Sequence, residues 1–412
     1  MDLDLLSNMN RVEVPFISVE MAGETFGVYS KTKRQGVTEV KYPDFIDSLT
    51  VTKINGLVNT YNLHLIYALD KDRDPNFFDK IFSKVKLGGS IWLTYGDISM
   101  PTYVYKREEA ILVDVKTSVD FAGAKITYNI SCQSKSMLGK SNKFNFPYHK
   151  SAKPSDLIKE ILYSNFYGLQ EIFYGMKDRA LVESNHLIDS DDASVEIPAQ
   201  NNISPLDYLQ YLVTNMIPYN YTGDKLLQSG TYRICAIDDT SGIFEGPYFK
   251  VKKISSNIDK DTLNVYTINI GYPDKNMVID FSLDDSQTPS LFYNYSESTE
   301  QPKYIERIDD DGRLVYEYSP ALTNSSTYLK TTSADMAWWN NMISFPVTGT
   351  LTIKGLIKPS ILMSYIYIDA KFFGRDHVST GYYAIQKQVD SISSQGYRTT
   401  LSLMRIPVSE VK

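Results

Sequence analysis

Two stretches, residues 110–133 and residues 349–406, constrain this chain most, because both end on the same plan. Each runs a long strand up to a glycine turn and leaves along a strictly alternating strand. After Gly123 the apolar positions are Ile126, Tyr128 and Ile130, and the same offsets after Gly396 hold Thr399, Leu401 and Leu403. A period of two puts such side chains on one face of a sheet. A strand–turn–strand plan used twice, with no visible catalytic cluster, points to a part of an assembly.

Length sets the scale: 412 residues suggest two or three domains, and 42% hydrophobic residues suffice for real cores. The 31 tyrosines, with no Ala-rich helical stretch, favour sheet. A net charge of −7 argues against nucleic-acid binding over the whole surface and leaves room for a local basic lining. Cys132 and Cys235 have no ligand spacing and read as reduced, buried thiols. The acidic start MDLDLLSNMN is no secretory signal, and no apolar run approaches the ~20 residues of a membrane helix. The expectation is a chain made in the cytoplasm without a membrane anchor.

Along the chain, residues 11–30 read as a hairpin turning at Ala22-Gly23-Glu24, and 49–69 as further strand with Tyr61, Leu63, Leu65, Tyr67 and Leu69 on one face. Asp74 and Pro75 open a short helix with the stripe Phe77, Phe78, Ile81, Phe82 and Val85, a plug for the end of a sheet. Strands at 91–95 and 110–132 complete an α+β order on an antiparallel sheet. From about residue 146 the pattern changes. Pro154 opens a helix with Leu157, Ile158, Ile161 and Leu162 on one face. Ser204-Pro205 with Asp207 opens another, striped by Leu206, Leu209, Leu212, Val213 and Met216. Three domains follow: 1–145, mainly β with a short helix; 146–270, mixed α/β; and 271–412, β again, with an exposed loop or linker near 286–303.

No chemistry stands out. His64, His149, His186 and His377 lack a second ligand at metal spacing, and no phosphate loop, nucleophile elbow or zinc signature occurs. The acidic clusters Asp189–Asp192 and Asp309–Asp311 lack the glycine and distal glutamate of a calcium loop. The expectation is no enzyme, no cofactor and no metal.

The C-terminal stretch resembles the bacteriophage tail/baseplate central hub family, with relatives in the late control protein D group and the base of type VI secretion spikes. The resemblance rests on Gly355, Pro359, the Gly381-Tyr382-Tyr383-Ala384-Ile385 step, and Gly396-Tyr397-Arg398-Thr399-Thr400-Leu401 followed by Leu403 and Arg405. Residues 270–285 resemble the strand leading into the same domain, while Leu362-Met363-Ser364 departs from it where many members have glycine. It implies an α+β, mainly β fold: two tail-tube-like antiparallel β-barrel or sandwich domains flanking a small mixed α/β domain. It implies a structural protein of the virion, a homotrimer whose six tube-like domains form a ring. That ring would join a sixfold tail tube protein to a threefold spike or tip protein, beside baseplate or tape-measure proteins. DNA would pass through it without sequence-specific binding. Two other readings stay open: a tail-associated cell-wall hydrolase with its centre in residues 146–345, and a carbohydrate- or receptor-binding tail protein using Trp338 and Trp339.

Overall fold

Alternating apolar residues become strands wherever a neighbouring strand completes their hydrogen bonds. The computed structural model describes residues 15–27, 45–54, 58–97, 108–169, 187–188, 194–213, 231–237, 248–254, 264–270, 278–284, 304–308, 314–318, 348–354, 362, 364–377 and 379–406. Within them one sheet holds 14 strands. In chain order these are β1 (Pro15–Met21), β2 (Glu24–Gly27), β3 (Ile46–Ile54), β4 (Thr60–Ala68), β5 (Ser90–Asp97), β6 (Glu108–Asp120) and β7 (Lys125–Ser134). The later half supplies β8 (Asn264–Ile270), β9 (Val278–Asp284), β10 (Thr348–Lys354), β11 (Tyr365–Phe372), β12 (Arg375–Asp376), β13 (Gly381–Ser393) and β14 (Gly396–Ile406). Their spatial order is β9-β10-β14-β13-β3-β4-β7-β6-β5-β1-β2, with β11 attached to β13 and carrying β8 and β12. The fold is α+β and mainly β. Where two separate barrels or sandwiches were expected, the described strands run as one continuous, open path.

That path contains one strand order twice. The order β3-β4-β7-β6-β5-β1 recurs as β9-β10-β14-β13-β11-β8, and the strands of each set follow one another along the chain in the same sequence. The irregularities recur too. Val113 is an extra residue in β6 against β7, and Gln386 is one in β13 against β14. Asp47 bulges from β3 against β4, and Ile279 from β9 against β10. A bulge fixes register, so four matched bulges tie the repeats together residue by residue. One pairing departs: β1 runs antiparallel to β5, whereas β8 runs parallel to β11.

The two glycines are not equivalent within this repeat. Gly123 is the third residue of a four-residue turn, and its amide donates to Asp120 Oδ1 at 2.9 Å. Gly396 follows a two-residue turn and adopts φ +119, a region that favours glycine. Because Ser131 and Ser402 each face the residue after a bulge, Ile130 matches Leu401, Tyr128 matches Thr399 and Ile126 matches Tyr397. Counting from the glycines gives the right face but slips by one cross-strand pair, because the turns differ in length.

Three cores form. The first gathers β1–β7 under helix α1 (Phe77–Val85), where Phe78 meets the rings of Phe26, Phe45, Tyr67, Phe77, Phe82 and Tyr128 at 5.1–6.0 Å. The expected stripe is therefore a plug, but the helix starts later than expected: Asn76 is its N-cap, without a side-chain capping bond, and Asp74, whose Oδ1 accepts from Asn76 N, lies with Pro75 in the turn before it. The second core packs α2 (Pro154–Tyr163) with α3 (Pro205–Tyr211), burying Leu157, Ile158, Ile161, Leu162, Leu206, Leu209, Leu212 and Val213. Ser204 caps α3 reciprocally: its Oγ accepts from Asp207 N at 3.1 Å and donates to Asp207 Oδ2 at 2.6 Å. The third core lies on the second repeat and includes Leu351, Ile353, Ile366, Ile368, Tyr383, Ile385, Leu401 and Leu403. Strand 264–270, read from sequence as the end of the middle block, pairs with β11 beside this third core. Met216, Asp189–Asp192, 286–303, Asp309–Asp311 and Trp338–Trp339 lie outside the described residues.

Candidate functional site

The place where the two repeats meet is the most constrained polar site among the described residues. β13 has β14 along one edge. On the other edge, residues 381–384 pair with β11 of their own repeat, and residues 387–393 pair with β3 of the first. The changeover falls at the Gln386 bulge. One strand thus serves both repeats.

The side chains along one face of β14 show what the changeover does. Leu403 and Leu401 enter the third core, Thr399 is buried in a polar belt, and Tyr397 enters the first core together with Ile392 of β13. The polar belt lies between two apolar cores and joins both repeats. Asp390 Oδ1 accepts from Thr399 Oγ1 at 2.6 Å and from Tyr397 Oη at 3.1 Å, and its Oδ2 accepts from Gln388 Nε2 at 2.7 Å. From the first repeat, Lys53 Nζ meets Glu108 Oε1 at 2.8 Å. Tyr95 Oη donates to the same oxygen at 3.1 Å, and Tyr61 Oη donates to Glu108 Oε2 at 3.0 Å. Lys53, Gln388, Thr399 and Asp390 have 0% exposure and Glu108 3%.

Register explains this meeting. Lys53 faces Gln388 and Val51 faces Asp390, so the lysine sits diagonally across the junction from the carboxylate. Burial pushes the Asp390 carboxyl up from the ordinary 3.8 to about 6, against the lowering pull of Thr399, Lys53, Gln388 and Tyr397. Burial, then the nearby carboxylates Glu108 and Asp390, raise the hydroxyls of Tyr95 and Tyr397 respectively. Groups this enclosed offer a substrate no approach. Their chemistry is that of a clasp: a satisfied polar network tolerates one register and penalises others, because any slip strands a buried charge.

The clasp has a pH signature. A carboxyl whose folded value exceeds its unfolded one contributes stability that is full below about 3.8 and lost as pH rises through about 6. Between pH ~7 and pH ~5 the Asp390 term should favour folding by roughly tenfold. Asp390→Asn keeps the shape and removes the titration, so its urea midpoint should lack that part of the wild-type slope. Identical slopes in the two proteins would remove Asp390 from the account.

Of the residues singled out in the sequence, Tyr397, Thr399, Leu401 and Leu403 line one face of β14, and Gly381 and Gly396 open β13 and β14. Gly123 stands in the distant β6–β7 turn, and Gly355 and Pro359 lie outside the described residues. Sequence reading missed Lys53, Glu108, Gln388 and Asp390. Lys53 did carry a signal, as a charge that continues the apolar phase of Leu49 and Val51. Asp390 did not, because the Gln386 bulge shifts the phase set by Tyr383 and Ile385. His64, in β4, is half-exposed with its Nδ1 2.9 Å from Asp47 Oδ2. No group of three or more His, Cys, Asp or Glu side chains with metal-holding geometry occurs among the described residues, and no described helix is long and apolar enough to cross a membrane.

No family model matches the sequence, and no curated protein matches it. Among solved structures the chain is similar to the 43 kDa tail protein of prophage MuSo2 from Shewanella oneidensis, at 13% identity and a TM-score of 0.49, over 95% of this chain and 100% of that one. It is similar to a tail protein from Neisseria meningitidis at 8% identity and a TM-score of 0.49, over 95% and 96% of the two chains. It is also similar to an E. coli component of the type VI secretion system, at 10% identity and a TM-score of 0.48, over 95% of this chain and 77% of that one.

Proposed function

We propose that this chain is a structural component of a phage tail tip or baseplate: a trimeric hub whose six sheet repeats form a pseudo-sixfold ring. The observation that carries the reading is the tandem repeat joined into one sheet through β13 and β3. A chain with two similar, fixed units converts threefold molecular symmetry into near-sixfold sheet symmetry. It can then face a sixfold tail tube on one side and a threefold spike on the other. The hub-like ending of the sequence supports the same reading, as does the clasp, which serves geometry rather than turnover. In this reading the ring's opening passes DNA without reading its sequence, the partners are tube, spike and baseplate or tape-measure proteins, and the protein resides in the virion.

Class averages by electron microscopy of the protein at high concentration, alone and mixed with tail tube protein, test this. Threefold rings with six lobes around an opening are expected. Monomers under both conditions would reject the hub.

A further inference from the structure

The repeat has two unmatched edges. Within the chain, residues 387–393 of β13, beyond the Gln386 bulge, pair with β3. The matching segment of the first repeat is residues 114–120 of β6, beyond the Val113 bulge. β5 pairs only with residues 108–111 of β6. Among the described residues, 114–120 therefore pair with β7 alone. The strand that matches β3 is β9, and its described pairing is with β10 alone. Each chain thus carries both halves of a further β13–β3-like junction: the outer edge of 114–120, beyond the part of β6 that pairs with β5, and the outer edge of β9 at the end of the path.

We infer that a second copy of this chain docks its β9, antiparallel, on residues 114–120 of the first, repeating between molecules the junction that β13 and β3 make within one. The bulges set the register. In the internal junction Ser393 faces Ser48, Ile392 faces Leu49 and Asp390 faces Val51. Transferred through the matched bulges, Asp120 faces Asp280, Val119 faces Phe281, Ser118 faces Ser282, Thr117 faces Leu283 and Lys116 faces Asp284.

The side chains suit that register. Val119 is 45% exposed, and Ile279 near the start of β9 is 48% exposed. Phe281 and Leu283 are partly buried against the third core. Val119 on Phe281 would extend that core across the contact as Ile392 and Leu49 extend the first. Asp120 opposite Asp280 places like charges at one end of the contact. Two different edges make a head-to-tail contact, which closes as a ring or continues as a filament. Closure at three copies rests on the hub reading, and the register does not.

The test uses full-length protein with Val119→Cys and Phe281→Cys, separately and combined, and a short thiol cross-linker under conditions where oligomers form. A mixture of the two single variants should give a covalent dimer. The double variant should give a closed covalent ring, and wild type, with its own cysteines, neither. As a second probe, Val119→Lys should weaken self-association at least tenfold while leaving the monomer's melting temperature unchanged. Oligomers that form without a 119–281 cross-link and tolerate Val119→Lys would overturn this register and leave the hub standing. A chain that stays monomeric with its tail tube protein present would overturn both.

Discussion

Lys53→Met should destabilise the protein by about 3–5 kcal/mol, the range for taking one partner from a buried ion pair. Glu108 would keep the donors Tyr61 and Tyr95 but lose its cation, and Asp390 would lose the attraction of the lysine diagonal to it. The cost is one of stranding charge rather than of lost packing, since methionine fills nearly the same volume. The double change Lys53→Met with Glu108→Gln should therefore recover a substantial part of the loss. Urea unfolding followed by tyrosine and tryptophan emission measures both. A single-variant loss under about 1 kcal/mol would mean that water reaches the belt. A double variant as poor as the single would mean that lysine packing, not charge, holds the junction.

Phe78→Ala should cost about 3–5 kcal/mol, the range for removing a buried aromatic from a core. Phe78 is 0% exposed and touches six other rings from β2, β4, β7, α1 and the residue before β3. The helix is short, so packing rather than propensity holds it on the sheet. Hydrogen exchange should show the loss first in α1 and in the β4 and β7 amides beneath it, with α2 and α3 unaffected. Equal loosening of α2 and α3 would show that the first and second cores unfold as one.

Much of this architecture is written locally. Alternation placed β4, β6, β7 and β14, and Ser204-Pro205 with Asp207 placed α3, because each signal depends on residues a few positions apart. The duplicated plan was legible from the endings of β7 and β14, but its register was not. A four-residue turn and a two-residue turn displace the glycines by different amounts, and only the cross-strand bulges reveal it. The parallel pairing of β8 with β11 was invisible for a similar reason, since a strand's sequence does not state its neighbour's direction. The clasp was hidden because Lys53, Glu108 and Asp390 come from far-apart segments. Lys53 alone stands out, as a charge in the phase of Leu49 and Val51, while Glu108 and Asp390 read as ordinary charged residues of strands.

The sharing of β13 also bears on how the molecule is made. Ile392 and Tyr397 complete a core whose other members precede residue 133 in the chain. A ribosome delivers β3 long before β13, so in a nascent chain β3 has a bare edge, and its lysine has Glu108 but not the Asp390 half of the belt. The first repeat must wait, half-finished, for the last strands to be synthesised. During that interval the edge of β3 is open to any strand of similar shape, including the β6 and β9 edges of neighbouring nascent chains. A repeat that closes late links the completion of the amino-terminal half to the completion of the carboxy-terminal one, so chains interrupted before β13 lack a finished unit with which to enter an assembly.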